Sequence, residues 1–351
     1  MNVIEIGKRR VGEGQPVFII AEMSGNHNQN INEAFAIIDA AKMAGADAIK
    51  LQTYTADTLT LNSRSPDFIV KWQEKERSLY ELYSEAYTPW EWHEDLFVYA
   101  KNLGLVCFSS PFDITAVTFL ETLQIPLYKV ASFEVGDIPL LEVIGKTKKP
   151  VIISRGMATL EELQLAVEVL QRSGTSDIII LQCVSAYPAK PIDMHLKNIP
   201  DLVKRFNIPA GLSDHTLTND SAIAAVALGA CVVEKHLTIS RKKGGPDCEF
   251  SLEPQEFASL VNSIRIVEQA LGEPFYDRHG DEEILSKIRK SLFAAKAISK
   301  GELFTETNVR SVRPGTGLSP KYYHEILGKR AAKDIPFATP LSWDFIVRDC
   351  I

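Results

Sequence analysis

The sequence has no CxxC pair among its five cysteines (Cys107, Cys183, Cys231, Cys248 and Cys350), and their number is odd. Neither a disulfide framework nor a structural zinc site fits that pattern, and three of the five lie in strand-like apolar runs, so a reduced, cytoplasmic protein is expected. No apolar stretch reaches the ~18 residues a membrane span needs. The opening residues, MNVIEIGKRRVGEG, lack the apolar core of a signal peptide. Positive charge is not in excess: the net charge is −7, which argues against nucleic acid or an acidic membrane as the main partner. A small anionic substrate stays compatible, because a local group of Lys and Arg overrules the global sign. The GxGxxG turn of a dinucleotide fold is also missing, since the first strand candidate runs into EMSGNHNQN.

What is present is an alternation. At 351 residues, 45% hydrophobic and 24% charged, the chain reads as a globular protein of about two domains. Up to about residue 275, short apolar or β-branched runs alternate with segments of helical period. Strand candidates are 17–23, 48–54, 105–111, 127–132, 150–156, 178–185, 209–215 and 231–237. Helix candidates include 30–45, 89–104, 158–174 with a Thr159/Glu162 capping box, the segment between His215 and His236, and 253–272. Eight strand-then-helix units predict a closed (β/α)8 TIM barrel over 1–275, in preference to an open doubly wound sheet. Residues 55–87 read as an extended loop on the catalytic face. A charged linker (276–290) and a small C-terminal unit of short strands (291–351) follow.

Active sites of such barrels lie at the carboxyl ends of the strands. Glu22 ends the first, followed by Asn26, His27 and Asn28. Lys50 and Gln52 lie on the second, Ser109 and Ser110 on the third, Lys129, Ser132 and Glu134 on or beyond the fourth, and Ser154 on the fifth. The sixth leads to Ser185 and Tyr187, the seventh gives Ser213, Asp214 and His215, and the eighth gives Glu234, Lys235 and His236. His215 and His236 fall on adjacent strands at one rim. Two neutral imidazoles with open positions suit a divalent metal such as Mn, Fe, Co or Zn, although a histidine at a strand end is commonly structural. His27 is a third ligand, a substrate contact or a loop residue; His93, His195, His279 and His324 read as surface residues. The serines, with Lys50 and Lys129, offer donors and countercharge for a phosphate. A lysine in an apolar strand needs an anionic partner or a special role, and a Schiff-base nucleophile is a rival reading.

The stretches IIAEMSGNHNQ, ADAIKLQTYTADTLTL, CFSSPFD, YKVASFE, GMATLEE, SAYPA, GLSDHT, EKHLT and GGPDCEFSLEP together resemble the sialic acid synthase family, and SVRPGTGLSP resembles the antifreeze-like (SAF) domain that ends those enzymes. The wording is most similar to the pseudaminic acid synthases within it, with N-acetylneuraminate and legionaminate synthases as alternatives. The resemblance implies condensation of phosphoenolpyruvate with an N-acetylated amino sugar, here 2,4-diacetamido-2,4,6-trideoxy-β-L-altropyranose, with release of phosphate. It implies a divalent cofactor (Mn2+, Mg2+ or Co2+) on His215 and His236, and phosphoenolpyruvate held by Lys50, Gln52, Ser110, Lys129, Ser132, Ser154 and Ser213. Glu134 would act on water or protons near the reacting carbon. Glu22, itself given a catalytic share, would face the sugar with Tyr187 and Asp247. Arg313 would reach the sugar from the partner subunit of a dimer with exchanged C-terminal domains. Arg155, Gln182, His195 and Cys248 depart from the family's usual residues. A Schiff-base aldolase and a non-catalytic binding protein are the rival classes.

Overall fold

The computed structural model describes residues 3–72 and 75–347; Cys350 lies outside the described residues. Eight parallel strands close into a barrel: β1 (Phe18–Glu22), β2 (Ala48–Thr53), β3 (Val106–Pro111), β4 (Tyr128–Val130), β5 (Val151–Ser154), β6 (Ile178–Cys183), β7 (Ala210–Asp214) and β8 (Val232–His236). Closure runs from β8 back to β1, with Val232 opposite Phe18 and His236 opposite Glu22. The same register sets Glu22 beside Lys50, Gln52 beside Ser110, and Ser213 beside Glu234. Residues distant in sequence therefore share one level of the rim.

A helix follows each strand: α1 (Ile31–Ala44), α2 (His93–Asn102), α3 (Ile114–Thr122), α4 (Ile138–Lys146), α5 (Leu160–Ser173), α6 (Asn198–Phe206), α7 (Asp220–Ala227) and α8 (Pro254–Leu271). Thr159 and Glu162 form the reciprocal capping box expected at the start of α5. Outward strand residues such as Ile19, Ile49, Ile153, Ile180 and Val233 pack under Leu141, Leu163, Leu170, Leu260 and Ile264 of the helices. Alternate residues, among them Phe18, Ile20, Phe108, Ile152 and Leu181, fill the barrel's interior.

A short hairpin, Ile4–Ile6 with Arg9–Val11, precedes β1. Its Ile4, Ile6 and Val11 join the interior cluster and close the amino-terminal end of the barrel. Residues 55–87 are not the loop expected from their polarity. They contain a helix (Ala56–Leu59), a hairpin (Ile69–Trp72 with Lys75–Ser78) and a second helix (Leu79–Ala86). Capping boxes at Thr55/Thr58 and Ser78/Glu81 start the two helices.

The chain divides into two compact units, Met1–Gly272 and Glu273–Ile351. The second contains an exposed helix (Asp281–Ser286), an antiparallel pair (Ser291–Ala294 with Val309–Val312), and its own core of Leu292, Phe304, Val309, Ile326, Ile335 and Leu341. Among the described residues no helix is long and apolar enough to cross a membrane.

Candidate active site

Side chains alternate across a strand, so Lys50 and Gln52 point inward from β2 while Thr53 points out. The carboxyl ends of the strands open on a cavity of about 370 Å³, lined by Lys50, Gln52, Lys129, Ser132, Glu134, Ser154, Tyr187, Ser213, His215, His236 and Asp247. Two more expected residues stand directly behind it. Glu22 is 3.1 Å from Lys50 Nζ, and Ser110 Oγ accepts from Lys50 Nζ at 3.4 Å. Ser109 faces away, hydrogen-bonded to Thr53 at 2.6 Å. Gly156, with a φ of +49°, fits where a Cβ would fall 2.1 Å from Ser132 Cβ, so a side chain there would displace that serine.

At the floor, two buried lysines share one carboxylate. Glu234 Oε1 lies 3.0 Å from Lys50 Nζ and 3.8 Å from Lys129 Nζ, and Ser213 Oγ donates to it at 3.4 Å. Lys129 also donates to Ser154 Oγ at 2.7 Å. Burial alone would raise the Glu234 carboxyl, but Lys129 and Lys50 outweigh it and hold it below its ordinary range. Burial would lower Lys50; Glu22 and Glu234 reverse that and keep it charged. Lys129 is lowered by burial, only partly offset by Glu234. Glu134 is pushed up to about 7 by burial against the pull of Lys129. The two lysines have Glu234 between them and Glu22 behind Lys50, and their ammonium groups can take an acid of two anionic groups.

His215 Nδ1 lies 2.8 Å from the carbonyl oxygen of Val184. A carbonyl only accepts, so Nδ1 carries the proton and Nε2 presents a bare lone pair. The His236 ring is centred 5.4 Å away, and its buried Nδ1 has no partner among the described residues. Burial lowers both imidazoles and keeps them neutral. Phe250 and Tyr187 flank them, at 4.9 Å from His236 and 4.5 Å from His215. Neutral rings, one oriented lone pair and one orphaned nitrogen fit a divalent metal. Among the described residues no group of three or more His, Cys, Asp and Glu forms a ligand set. His27 is apart: it is buried, bonded to Thr88 at 3.2 Å, and absent from the cavity lining. His93, expected at the surface, is fully buried, because the first turn of α2 presses it against β2, where it bonds Thr53 at 2.8 Å.

Higher in the cavity, Gln52 Nε2 donates to Glu22 Oε1 at 2.9 Å and to Ser24 Oγ at 3.0 Å, and Ser24 Oγ donates in turn to Asp247 Oδ2. Glu22 is pushed up to about 7, burial outweighing Lys50. Burial raises Asp247 as well, against its bonds to Ser24 and the Gly25 N–H. Leu59, Val70, Leu79, Leu82, Tyr83 and Phe112 give the same cavity an apolar wall, five of them from the segment 55–87. Ser24, Glu234, Phe250 and this wall are the features that sequence reasoning did not assign; the clue for Ser24 was its place directly after a strand end. Arg155, Gln182 and Cys248 do not line the cavity. Gln182 faces outward, donating to the Met194 carbonyl at 3.0 Å, and the Cys248 thiol donates to that of Gly244 at 2.8 Å. His195 is exposed, and so is Arg313, which lies in the second unit.

Two family models match the chain: the NeuB family over residues 37–276 and the SAF domain over 289–347. A pseudaminic acid synthase of Campylobacter jejuni is 48% identical over 330 residues, covering 93% of this chain and 95% of its own. That of Helicobacter pylori is 45% identical over 340 residues, covering 95% and 99%. Among solved structures, the spore coat polysaccharide biosynthesis protein SpsE of Bacillus subtilis aligns with a TM-score of 0.68 at 32% identity, over 99% of this chain and 100% of its own.

Proposed function

The chain belongs to the NeuB family of sialic acid synthases, and from that premise we propose that it condenses phosphoenolpyruvate with 2,4-diacetamido-2,4,6-trideoxy-β-L-altropyranose to a nine-carbon nonulosonic acid, releasing phosphate. It is a phosphoenolpyruvate-dependent nonulosonic acid synthase. The observation that carries the reading is the convergence of Lys50, Lys129, Glu134, His215, His236 and Asp247 on one cavity. The apolar wall supports the deoxy sugar: a methyl carbon needs a dry surface, and a hydroxymethyl group placed there would lose its hydrogen bonds.

In this reading Lys50, Lys129, Ser154 and Ser213 hold the phosphate and carboxylate of phosphoenolpyruvate, with Gln52, Ser110 and Ser132 beside them. Glu22, Tyr187 and Asp247 orient the open-chain sugar so that its aldehyde carbon meets carbon three of the enol ester; positioning of this kind contributes several kcal/mol, roughly 7–11 at its best. His215 and His236 would hold a divalent cation (Mn2+, Mg2+ or Co2+), which when bound supplies Lewis-acid polarisation of the aldehyde oxygen. Formation of the new C–C bond leaves cationic character at carbon two. Glu134 faces that centre, guides the water that adds to it and accepts the water's proton. Breakage of the C–O bond then gives inorganic phosphate and the keto acid. Arg313 of a partner subunit, exposed on its own unit, would complete the sugar site in a homodimer with exchanged second units. The four described cysteines are free and buried, which supports a cytoplasmic setting.

The test is phosphate release from phosphoenolpyruvate across N-acetylated hexoses and 2,4-diacetamido sugars. Turnover with the trideoxy diacetamido sugar is expected; turnover with N-acetylmannosamine alone would move the assignment to N-acetylneuraminate synthesis. The lowered pKa of Lys129 gives a Schiff-base aldolase its one supporting observation. Borohydride trapping of substrate on Lys129 would establish that class instead.

A further inference from the structure

Ser24 is a strained residue of the rim that also lines the cavity. It lies one residue beyond the end of β1, after Met23, and its φ of +48° lies in the left-handed region, where a Cβ collides with its own backbone and glycine is the ordinary occupant. The next residue is Gly25, yet it is the serine that takes the unfavourable conformation. Strain of this kind persists only where surrounding contacts over-determine it. Those contacts are made by the hydroxyl. Ser24 is 2% exposed, lines the cavity, donates to Asp247 Oδ2 and accepts from Gln52 Nε2 at 3.0 Å.

These bonds link remote parts of the chain. Asp247 comes from the loop beyond β8, Gln52 from β2, and Gln52 in turn holds Glu22 at 2.9 Å. A serine hydroxyl has one proton and two acceptor sites. The proton goes to Asp247 and one acceptor site to Gln52, so one lone pair is left, on an oxygen made more basic by donating to a carboxylate.

We propose that Ser24 is a positioning and specificity-determining residue of the sugar site: its hydroxyl fixes Asp247 and Gln52 relative to Glu22 and presents its remaining lone pair to an N–H or O–H donor of the sugar. The inference rests on the reading of Asp247 and Glu22 as sugar-facing. Gln52 is the one residue it shares with the phosphoenolpyruvate set; Lys50 and Lys129, which carry the charge of that site, bond to Glu22, Glu234, Ser110 and Ser154 and not to Ser24.

The backbone conformation makes the test unusually clean. Ser24→Gly removes the hydroxyl and relieves the strain together; Ser24→Ala removes the hydroxyl and keeps the strain. Steady-state kinetics and thermal unfolding of both variants and of wild type are compared, with sugar and phosphoenolpyruvate varied separately. Both variants are expected to raise the KM for the sugar about tenfold or more, from the loss of two or three hydrogen bonds in a buried site, and to leave the KM for phosphoenolpyruvate within about twofold. Ser24→Gly is expected to melt at or above wild type, and Ser24→Ala below Ser24→Gly. An unchanged sugar KM in Ser24→Gly overturns the proposal. Equal loss of affinity for both substrates also overturns it, because the serine would then be a general structural support. Wild type that releases no phosphate with any N-acetylated sugar defeats instead the functional reading beneath the inference, and the inference with it.

Discussion

Lys235 Nζ lies 2.6 Å from Asp214 Oδ2, with both side chains fully buried. Each is the sequence neighbour of a rim histidine, and each points outward where the histidine points in. Lys235 also donates to the carbonyl oxygens of Thr216 and Thr218, at 2.6 and 3.1 Å. The pair thus ties β8 to the turn that follows His215. Removing one partner leaves an uncompensated buried charge, and Asp214→Ala is expected to cost about 3–5 kcal/mol. Replacing both, as Asp214→Leu with Lys235→Met, is expected to restore much of that loss. Urea unfolding measures each; a single mutant as stable as wild type would contradict the burial.

His215→Ala and His236→Ala should each lose bound divalent metal, read by elemental analysis after dialysis. Turnover should fall by about a hundredfold or more, the loss of several kcal/mol of transition-state stabilisation. Chelation of wild type should do the same and be reversed by Mn2+ or Co2+. Full turnover in a chelated, metal-free sample would remove the metal from the mechanism.

Glu134 is pushed up to about 7, while an unfolded glutamate titrates near about 4.3. Between those values the folded state binds more protons than the unfolded chain, so this stabilising contribution is complete at acid pH and is lost as pH rises toward about 7. Lys129, Lys50 and Asp137 are the charged groups acting on it. Glu134→Gln cannot ionise, so the melting temperature of this variant minus that of wild type should rise between pH 5 and pH 8. A flat or falling difference would show that Glu134 titrates normally. Turnover of wild type should show a limb near pH 7 that the variant lacks.

Leu79→Asn places a polar amide in the apolar wall. Loss of one hydrophobic contact surface is worth about 1–3 kcal/mol, roughly 10–200-fold in kcat/KM. The loss should fall on the trideoxy sugar and be smaller for a sugar with a hydroxymethyl group. Equal losses for both would mean that the deoxy carbon is bound elsewhere.

The barrel was legible because its strands are buried on both faces and appear as continuous apolar runs. The rim was legible because polar residues interrupt those runs at their carboxyl ends: Lys50, Lys129, Ser154, His215 and His236 are found where the register puts them. The segment 55–87 was not, since KWQEKER contains few of the residues that mark strands, and its hairpin is fixed by pairing and by two capped helices. Helices α3, α4 and α6 span only nine residues each, and α4 and α6 contain Pro139 and Pro200, so each is too short and too interrupted to stand out as a helical run. His93 misled because a helix-starting histidine beside glutamates reads as surface, whereas its partner Thr53 lies on a remote strand. For Ser24 the sequence offers only its place just past a strand end, because left-handed backbone at a serine leaves no trace in composition.

The hairpin at Ile4–Val11 gives the barrel one mouth. With phosphoenolpyruvate on Lys50 and Lys129 at the floor and the sugar against Leu79, Leu82 and Tyr83, as proposed above, the sugar would stand over the enol ester. That arrangement predicts an order in which the enol ester enters first and the sugar second. Initial-rate patterns should follow that sequence, and a random-order pattern would mean that the bound sugar leaves the way to the two lysines open.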